Sequence, residues 1–247
     1  MPLDRVWLKK QDIVIHLASY PRAKIVNEQP ELGVENIVVG TTGMLQDCVE
    51  HGVKRFVYVS SSMVYGDFKD GADENSVPAP VNIYGEAKLS GERLTQQFNR
   101  AFGLEYVIAR PSGVYGAGDI PDRVLSKFFH AAMQAQAINV HDHNNKIDFT
   151  YVEDAADGII KCALEKKAAN NIFNITAGSA ISLGDAAGKI IKLTSSRSKI
   201  TDTGKNALYP SRGTLDVSKA KTMLGYMPKY NFDQGIEKYY EWLQSKI

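Results

Sequence analysis

The chain has 247 residues, 44% of them hydrophobic, enough to bury a sizeable core in one large domain or in one domain with a smaller lobe. With 29 basic and 28 acidic side chains its formal net charge is +1, so bulk electrostatics give no reason to expect a nucleic acid or an anionic membrane as partner, and only a local anion pocket stays open. The two cysteines, Cys48 and Cys162, lack CxxC or histidine-rich spacing, which argues against a disulfide framework and a zinc site and makes a reducing cytoplasm the expected compartment.

In chain order, Met1-Pro2-Leu3-Asp4-Arg5 carries no apolar stretch of signal-peptide length, and no later stretch approaches a membrane span, so a soluble protein is expected. Asp12-Ile13-Val14-Ile15-His16-Leu17-Ala18-Ser19 is a short apolar run ending in small residues and reads as a buried strand. Asn36 to His51 reads as a helix with Val39, Leu45 and Cys48 among its apolar positions, and Gly52 suits its stop. Arg55-Phe56-Val57-Tyr58-Val59-Ser60 is the next strand. After a loop marked by Pro78 and Pro80, Ile83 to Phe102 has a helical rhythm through Ala87, Gly91, Leu94 and Phe98, and Gly103 ends it. Glu105 to Arg110 is a strand that Pro111 is expected to stop.

This alternation predicts an α/β fold, a Rossmann-type parallel sheet with helices on both faces, whose ligands gather at the carboxyl ends of the strands. Beyond about Tyr115 the pattern loosens. Helices are expected at Asp122–Ala135, Tyr151–Leu164, Leu183–Leu193, Ser218–Leu224 and Phe232–Lys246, with extended pieces at Ala137–His141 and Asn171–Thr176. The expected division is a partial dinucleotide-binding region over 1–115, with 143–165 packing back on it, and a smaller substrate lobe over 116–247. No internal repeat or low-complexity tract is evident.

Chemistry concentrates at Tyr84-Gly85-Glu86-Ala87-Lys88. Residues four apart on a helix share a face, and a cation there favours the phenolate form of the tyrosine. Tyr20…Lys24 and Tyr65…Lys69 have the same spacing but lie in expected loops. Tyr84 alone combines a helical setting with a serine run at a strand end upstream, Ser60-Ser61-Ser62. Spacing by itself leaves open a helix-surface tyrosine beside a solvated lysine.

Val57-Tyr58-Val59-Ser60-Ser61-Ser62-Met63-Val64-Tyr65-Gly66 and Pro78-Ala79-Pro80-Val81-Asn82-Ile83-Tyr84-Gly85-Glu86-Ala87-Lys88 resemble the extended short-chain dehydrogenase/reductases of the NAD-dependent epimerase/dehydratase group. Arg110-Pro111-Ser112-Gly113-Val114-Tyr115-Gly116, Asp148-Phe149-Thr150-Tyr151-Val152-Glu153-Asp154 and Leu224-Gly225-Tyr226-Met227-Pro228 match further signatures in the expected order, so the resemblance spans nearly the whole chain.

The resemblance implies an NAD-dependent epimerase, or a related oxidoreductase, acting on a nucleotide-diphosphate sugar by transient hydride transfer. Its catalytic set would be Ser61, four residues before the tyrosine of Val-Tyr-Gly, with Tyr84 and Lys88. Tyr84 as phenolate would take the sugar hydroxyl proton, Ser61 would hydrogen-bond the same oxygen, and Lys88 would lower the tyrosine pKa and hold the nicotinamide ribose. Ser60 is read as a strand-end hydroxyl satisfying backbone groups. Family 4,6-dehydratases carry Asp-Glu after the catalytic Thr or Ser; Ser62-Met63 stands here, and a thioether cannot move a proton. Arg212 resembles the arginine that grips the nucleotide diphosphate, the alternative being a surface arginine. Ile147 and Gly113 depart from the family's usual Arg and Asn.

The cofactor site departs further. A Rossmann half needs a Gly-x-x-Gly-x-x-Gly turn after its first strand and an acidic residue roughly 20 positions later. Neither is present, so NAD and NADP cannot be told apart, and the strand at Asp12 resembles the fourth of the family sheet. By resemblance the retained NAD contacts are Ala18, Ser19, Tyr84, Lys88, Pro111, Gly113 and Val114. Asn36 is one residue too far from Gly40-Thr41 for the usual Asn-x-x-Gly-Thr. A chain truly beginning at Met1 is expected to expose apolar surface and a bare sheet edge and to self-associate. The resemblance also implies a homodimer paired through Asn36–His51 and Ile83–Phe102. A non-catalytic relative retaining a sugar-nucleotide lobe is the competing reading.

Overall fold

β-Branched and aromatic runs build a parallel sheet in the computed structural model of the protein, which describes residues 8–20, 22–206 and 208–246; the Met1–Arg5 opening lies outside them. β1 (Ile13–His16) is followed by α1 (Ala23–Glu28), α2 (Pro30–Gly33), a π-helical stretch (Val34–Val39) and α3 (Gly40–Glu50). Then come β2 (Arg55–Val59), a 3-10 turn (Ser62–Tyr65), α4 (Ile83–Phe102), β3 (Glu105–Pro111), β4 (Val114–Tyr115) and α5 (Val124–Met133). β5 (Ile138–Val140), β6 (Lys146–Asp148) and β7 (Thr150–Tyr151) lead to α6 (Val152–Leu164), β8 (Asn171–Ile175), β9 (Ala180–Ser182), α7 (Leu183–Leu193) and β10 (Ile200–Asp202). The described chain ends with α8 (Ser218–Leu224) and α9 (Phe232–Gln244).

Among the described residues the main sheet runs β1-β2-β3-β8, every pair parallel. Alternation along its strands sends Phe56, Tyr58 and Ile108 against Leu45 and Cys48 of α3 and Leu94 of α4, while Val57, Val107 and Ala109 meet Cys162 of α6 and Leu224 of α8. Each helix layer thus covers one sheet face, the Rossmann-type architecture expected. A separate core joins α5, α7 and α9 through Phe129, Ile190 and Tyr239 above the short pairs β5-β10 and β6-β9. No helix among the described residues is long and apolar enough to cross a membrane.

Three of the differences from expectation have a physical reason. The helix expected from Asn36 begins at Pro30, where proline's missing N–H costs nothing in a first turn. Between Pro30 and Glu50 the chain stays helical by widening to π geometry over Val34–Val39, and this wider turn takes up the extra residue between Asn36 and Gly40. β3 includes Pro111, paired with Ile175, because proline's φ suits extended backbone and its absent donor matters only at the ladder's end.

Candidate active site

The carboxyl ends of β2 and β3 open, with the loop after β1, into a cavity of about 1110 Å³ between the sheet and the elements around α5 and β6. Its wall brings together Ser61, Tyr84, Lys88, Ser19, Pro111, Gly113, Val114 and Arg212. Ala18 is exposed and does not belong to that wall. Asn36 is also outside it, its amide donating to the Leu32 carbonyl oxygen at 2.8 Å.

Ser61 leaves β2 in extended backbone and caps the 62–65 turn, its Oγ accepting from the Met63 N–H at 3.2 Å. Asn82 caps α4 in the same way, accepting from the Gly85 N–H at 2.8 Å. A Cβ on Gly85 would lie 2.7 Å from the Met63 carbonyl oxygen and 2.9 Å from Pro80 Cβ. Glycine therefore lets the first turn of α4 press on the 62–65 turn, which sets Tyr84 beside Ser61. Gly113 sits at φ +50°, and a Cβ there would meet Ile147 at 2.6 Å, so the residue that departs from the family's usual Asn suits this close approach.

Burial raises the Tyr84 hydroxyl above the usual tyrosine range, while the Ser61 hydroxyl and the Arg123 guanidinium pull it down. Lys88 lines the same wall one turn beyond Tyr84 on α4. Its Nζ donates to the Val59 carbonyl oxygen at 2.9 Å and lies 5.3 Å from the Tyr58 ring centre. Burial lowers its ammonium to about 8, and Glu92 opposes that shift. The cation acting on Tyr84 is Arg123, which lines the cavity at the start of α5 and pairs with Asp119 at 3.6 Å. Ser60 departs from its backbone-satisfying reading: its hydroxyl donates to the Glu92 carboxylate at 2.5 Å.

Arg212 reaches the cavity from the segment before α8. Its Nε is buried without a hydrogen-bond partner, Nη1 faces the Met63 sulfur at 3.8 Å, and burial lowers the guanidinium to about 10. It makes no ion pair among the described residues, so an anion in the cavity would satisfy it. Of the other Tyr-xxx-Lys pairs, Tyr65 is buried in the 62–65 turn and its hydroxyl donates to the Asn174 side chain at 2.8 Å. Tyr20 lies in the loop before α1.

Sequence reasoning missed Arg123 and Glu92. Glu92 had a signal, since Tyr84, Lys88 and Glu92 recur at four-residue intervals on one helix face. Arg123 had none; only the fold sets it opposite Tyr84.

Fold and wall together define a Rossmann-like α/β enzyme with a Ser/Tyr/Lys set at the carboxyl end of a parallel sheet. The chain belongs to the NAD dependent epimerase/dehydratase family, whose sequence signature matches residues 3–176. It is 29% identical over 241 residues to YtcB of Bacillus subtilis strain 168, described as an uncharacterized UDP-glucose epimerase, covering 96% of this chain and 76% of that one. Among solved structures it is similar to MoeE5 in complex with UDP-glucuronic acid and NAD, with a TM-score of 0.94, 28% identity and coverage of 100% of this chain and 84% of MoeE5. The UDP-glucuronic acid 4-epimerase of Bacillus cereus gives a TM-score of 0.91 at 26% identity, covering 96% of this chain and 76% of that one.

Proposed function

We propose that this chain binds NAD together with a nucleotide-diphosphate sugar and epimerises a sugar carbon by transient oxidation. The observation that carries the reading is Arg212, a half-buried arginine whose Nε is buried and which has no carboxylate partner among the described residues, on the same wall as Ser61 and Tyr84. Its planar donors suit a diphosphate. Solved relatives hold UDP-glucuronic acid and NAD, which supports the same pairing of ligands here.

The residues at the sheet end of the cavity fit the nicotinamide-ribose half of the cofactor. Ser19 Oγ is buried without a partner among the described residues, on the same wall as Lys88, Pro111 and Gly113, and a ligand polar group would satisfy it. NAD, when bound, would supply a positively charged ring able to take up a hydride from the sugar carbon and give it back, and that charge would favour the Tyr84 phenolate. Tyr84 Oη then holds the proton of the sugar hydroxyl, and Ser61 donates to the same oxygen. Lys88, on the same wall, would hold the ribose, and Arg123 adds positive charge on the Tyr84 side. Met63 offers no proton, so the position where the family's 4,6-dehydratases place a carboxylate supplies neither acid nor base for eliminating water.

The same reading takes the protein as cytoplasmic and as a homodimer paired through Asn36–His51 and α4, and exposed Val39 and Phe102 on those elements support the pairing. The test incubates the chain with NAD and UDP-glucose or UDP-glucuronate and follows the sugar by proton NMR. Conversion to an epimer is expected, with Tyr84→Phe slowing it by roughly 100-fold or more while UDP-sugar binding persists. Full turnover by Tyr84→Phe would overturn the role of Tyr84. UDP-sugar binding without turnover by the parent chain would favour the non-catalytic reading.

A further inference from the structure

Three buried charges meet behind the wall of Ser61, Tyr84 and Lys88. Lys88 and Glu92 lie on α4 and Arg110 on β3, at 4%, 2% and 2% exposure. Glu92 accepts from Arg110 twice, Nε to Oε1 at 2.9 Å and Nη2 to Oε2 at 2.6 Å, and from the Ser60 hydroxyl at 2.5 Å. Ser60 precedes Ser61 and Arg110 precedes Pro111. One carboxylate therefore fixes side chains next to the cavity residues on two strands.

The charge count decides which group can respond. Arg110 pairs directly with Glu92, Lys88 lies one turn before Glu92 on α4 within reach of its charge, and arginine keeps its proton at any pH the fold survives. If the carboxylate lost its charge, two buried cations would remain, and only Lys88 could relieve them by releasing a proton. The other groups facing the cluster are the Tyr58 ring on β2 beneath Lys88, Tyr84 one turn earlier on α4, and His16 on β1 stacked on Tyr58. On the far side the Tyr65 ring lies 4.8 Å from the Arg110 guanidinium, with Glu74 beyond it. Burial pushes Tyr65 up to about 12 and Tyr58 higher, so both stay neutral near pH 7 and Glu92 is the anion next to Lys88.

We infer that Glu92 is a positioning residue for the candidate active site: its carboxylate keeps the buried Lys88 ammonium charged and anchors Ser60, which sets Ser61 at the end of β2. The inference rests on the proposed function for what that charge achieves in turnover, but the charge itself can be read without turnover.

The experiment labels the lysines of the full chain with 13C at Cε, assigns Lys88 by its loss in Lys88→Arg, and titrates it by NMR. In Glu92→Gln the Lys88 midpoint should fall by about one pH unit or more, and in Glu92→Asp it should stay near the parent value. Should Glu92→Gln fail to fold, Glu92→Gln/Arg110→Met removes the leftover cation, and the Lys88 midpoint should still lie below the parent's. A midpoint unchanged in folded Glu92→Gln, or in the double variant where the single one does not fold, overturns the inference. If the parent turns over a UDP-sugar, the alkaline limb of its kcat profile should move down with the midpoint while KM holds. If no form turns over, the proposed function fails and the titration still decides the role of Glu92.

Discussion

The Lys88 ammonium donates to the Val59 carbonyl oxygen across 2.9 Å, so the residue four after Tyr84 is tied to the last residue of β2. Burial lowers this lysine to about 8 from an ordinary 10.5. Below pH 8 it is charged in both folded and unfolded chains, and the cost of burying the charge is fully present. Between about 8 and 10.5 the folded chain has released the proton while the unfolded chain still holds it, so stability rises with pH. Parent stability minus that of Lys88→Met should therefore grow across this window, by on the order of 3 kcal/mol at its end. Urea melts at a series of pH values measure it; a flat difference would contradict the placement of Lys88. Turnover that needs the ammonium should fall as pH rises through about 8.

Arg212 has a buried Nε that no group among the described residues satisfies, and no carboxylate among them pairs with its charge. Arg212→Met should remove a diphosphate contact while relieving that burial. UDP binding should weaken by roughly ten- to a hundredfold, the range of a lost charged hydrogen bond or two. The melting temperature of the ligand-free chain should hold or rise. Calorimetry with UDP alone reads the first, thermal melts the second, and unchanged UDP affinity would remove Arg212 from the site.

What could be read in advance was what the chain specifies locally. α4, α7 and α8 begin and end where expected, because Asn82 and Ser182 cap the first two and Gly103 and Gly225 stop α4 and α8 in left-handed backbone. Ser61, Tyr84 and Lys88 were legible as a motif, and the cavity gathers them. Charge partnerships were not legible, because they join distant segments. Ser60 meets Glu92 across 32 positions, Arg110 meets Glu92 across 18, and Arg123 bears on Tyr84 from the start of another helix. The π-helical stretch was visible only as an odd spacing at Asn36, since a one-residue surplus can be absorbed by a loop as readily as by a wider turn.

Asp148 closes a junction between β6, β8 and the segment before α8. Its Oδ2 accepts from the Thr176 hydroxyl at 3.0 Å and the Leu215 N–H at 3.2 Å, while Oδ1 is buried without a partner. Burial outweighs these bonds and pushes the carboxyl up to about 6. Between an ordinary 3.8 and about 6 the folded chain keeps a proton that the unfolded chain has released, so this contribution is fully present below 3.8 and lost as pH rises through 6. The loss is roughly 3 kcal/mol. Asp148→Asn should abolish that slope, seen as a parent-minus-variant difference in urea melts from pH 4 to 8. Parallel curves would show that the carboxyl titrates normally.

β1 is the edge of the main sheet among the described residues, bonded to β2 on one side. Beside its edge Ile15 and Leu17 are 36% and 61% exposed, and Ile160 and Leu164 of α6 are 50% and 66% exposed. A bare strand edge flanked by apolar side chains pairs readily with another chain. The purified protein should associate with rising concentration, and Leu17→Lys/Ile160→Lys should shift sedimentation toward smaller species. Pairing through the 30–50 helical stretch and α4 would respond instead to Val39→Glu, since Val39 is 61% exposed on the opposite helix layer from α6. The two variants therefore separate the modes. If the lysine pair leaves association unchanged while Val39→Glu dissolves it, the sheet edge is not what holds the copies together, and charge at Leu17 should then alter only solubility.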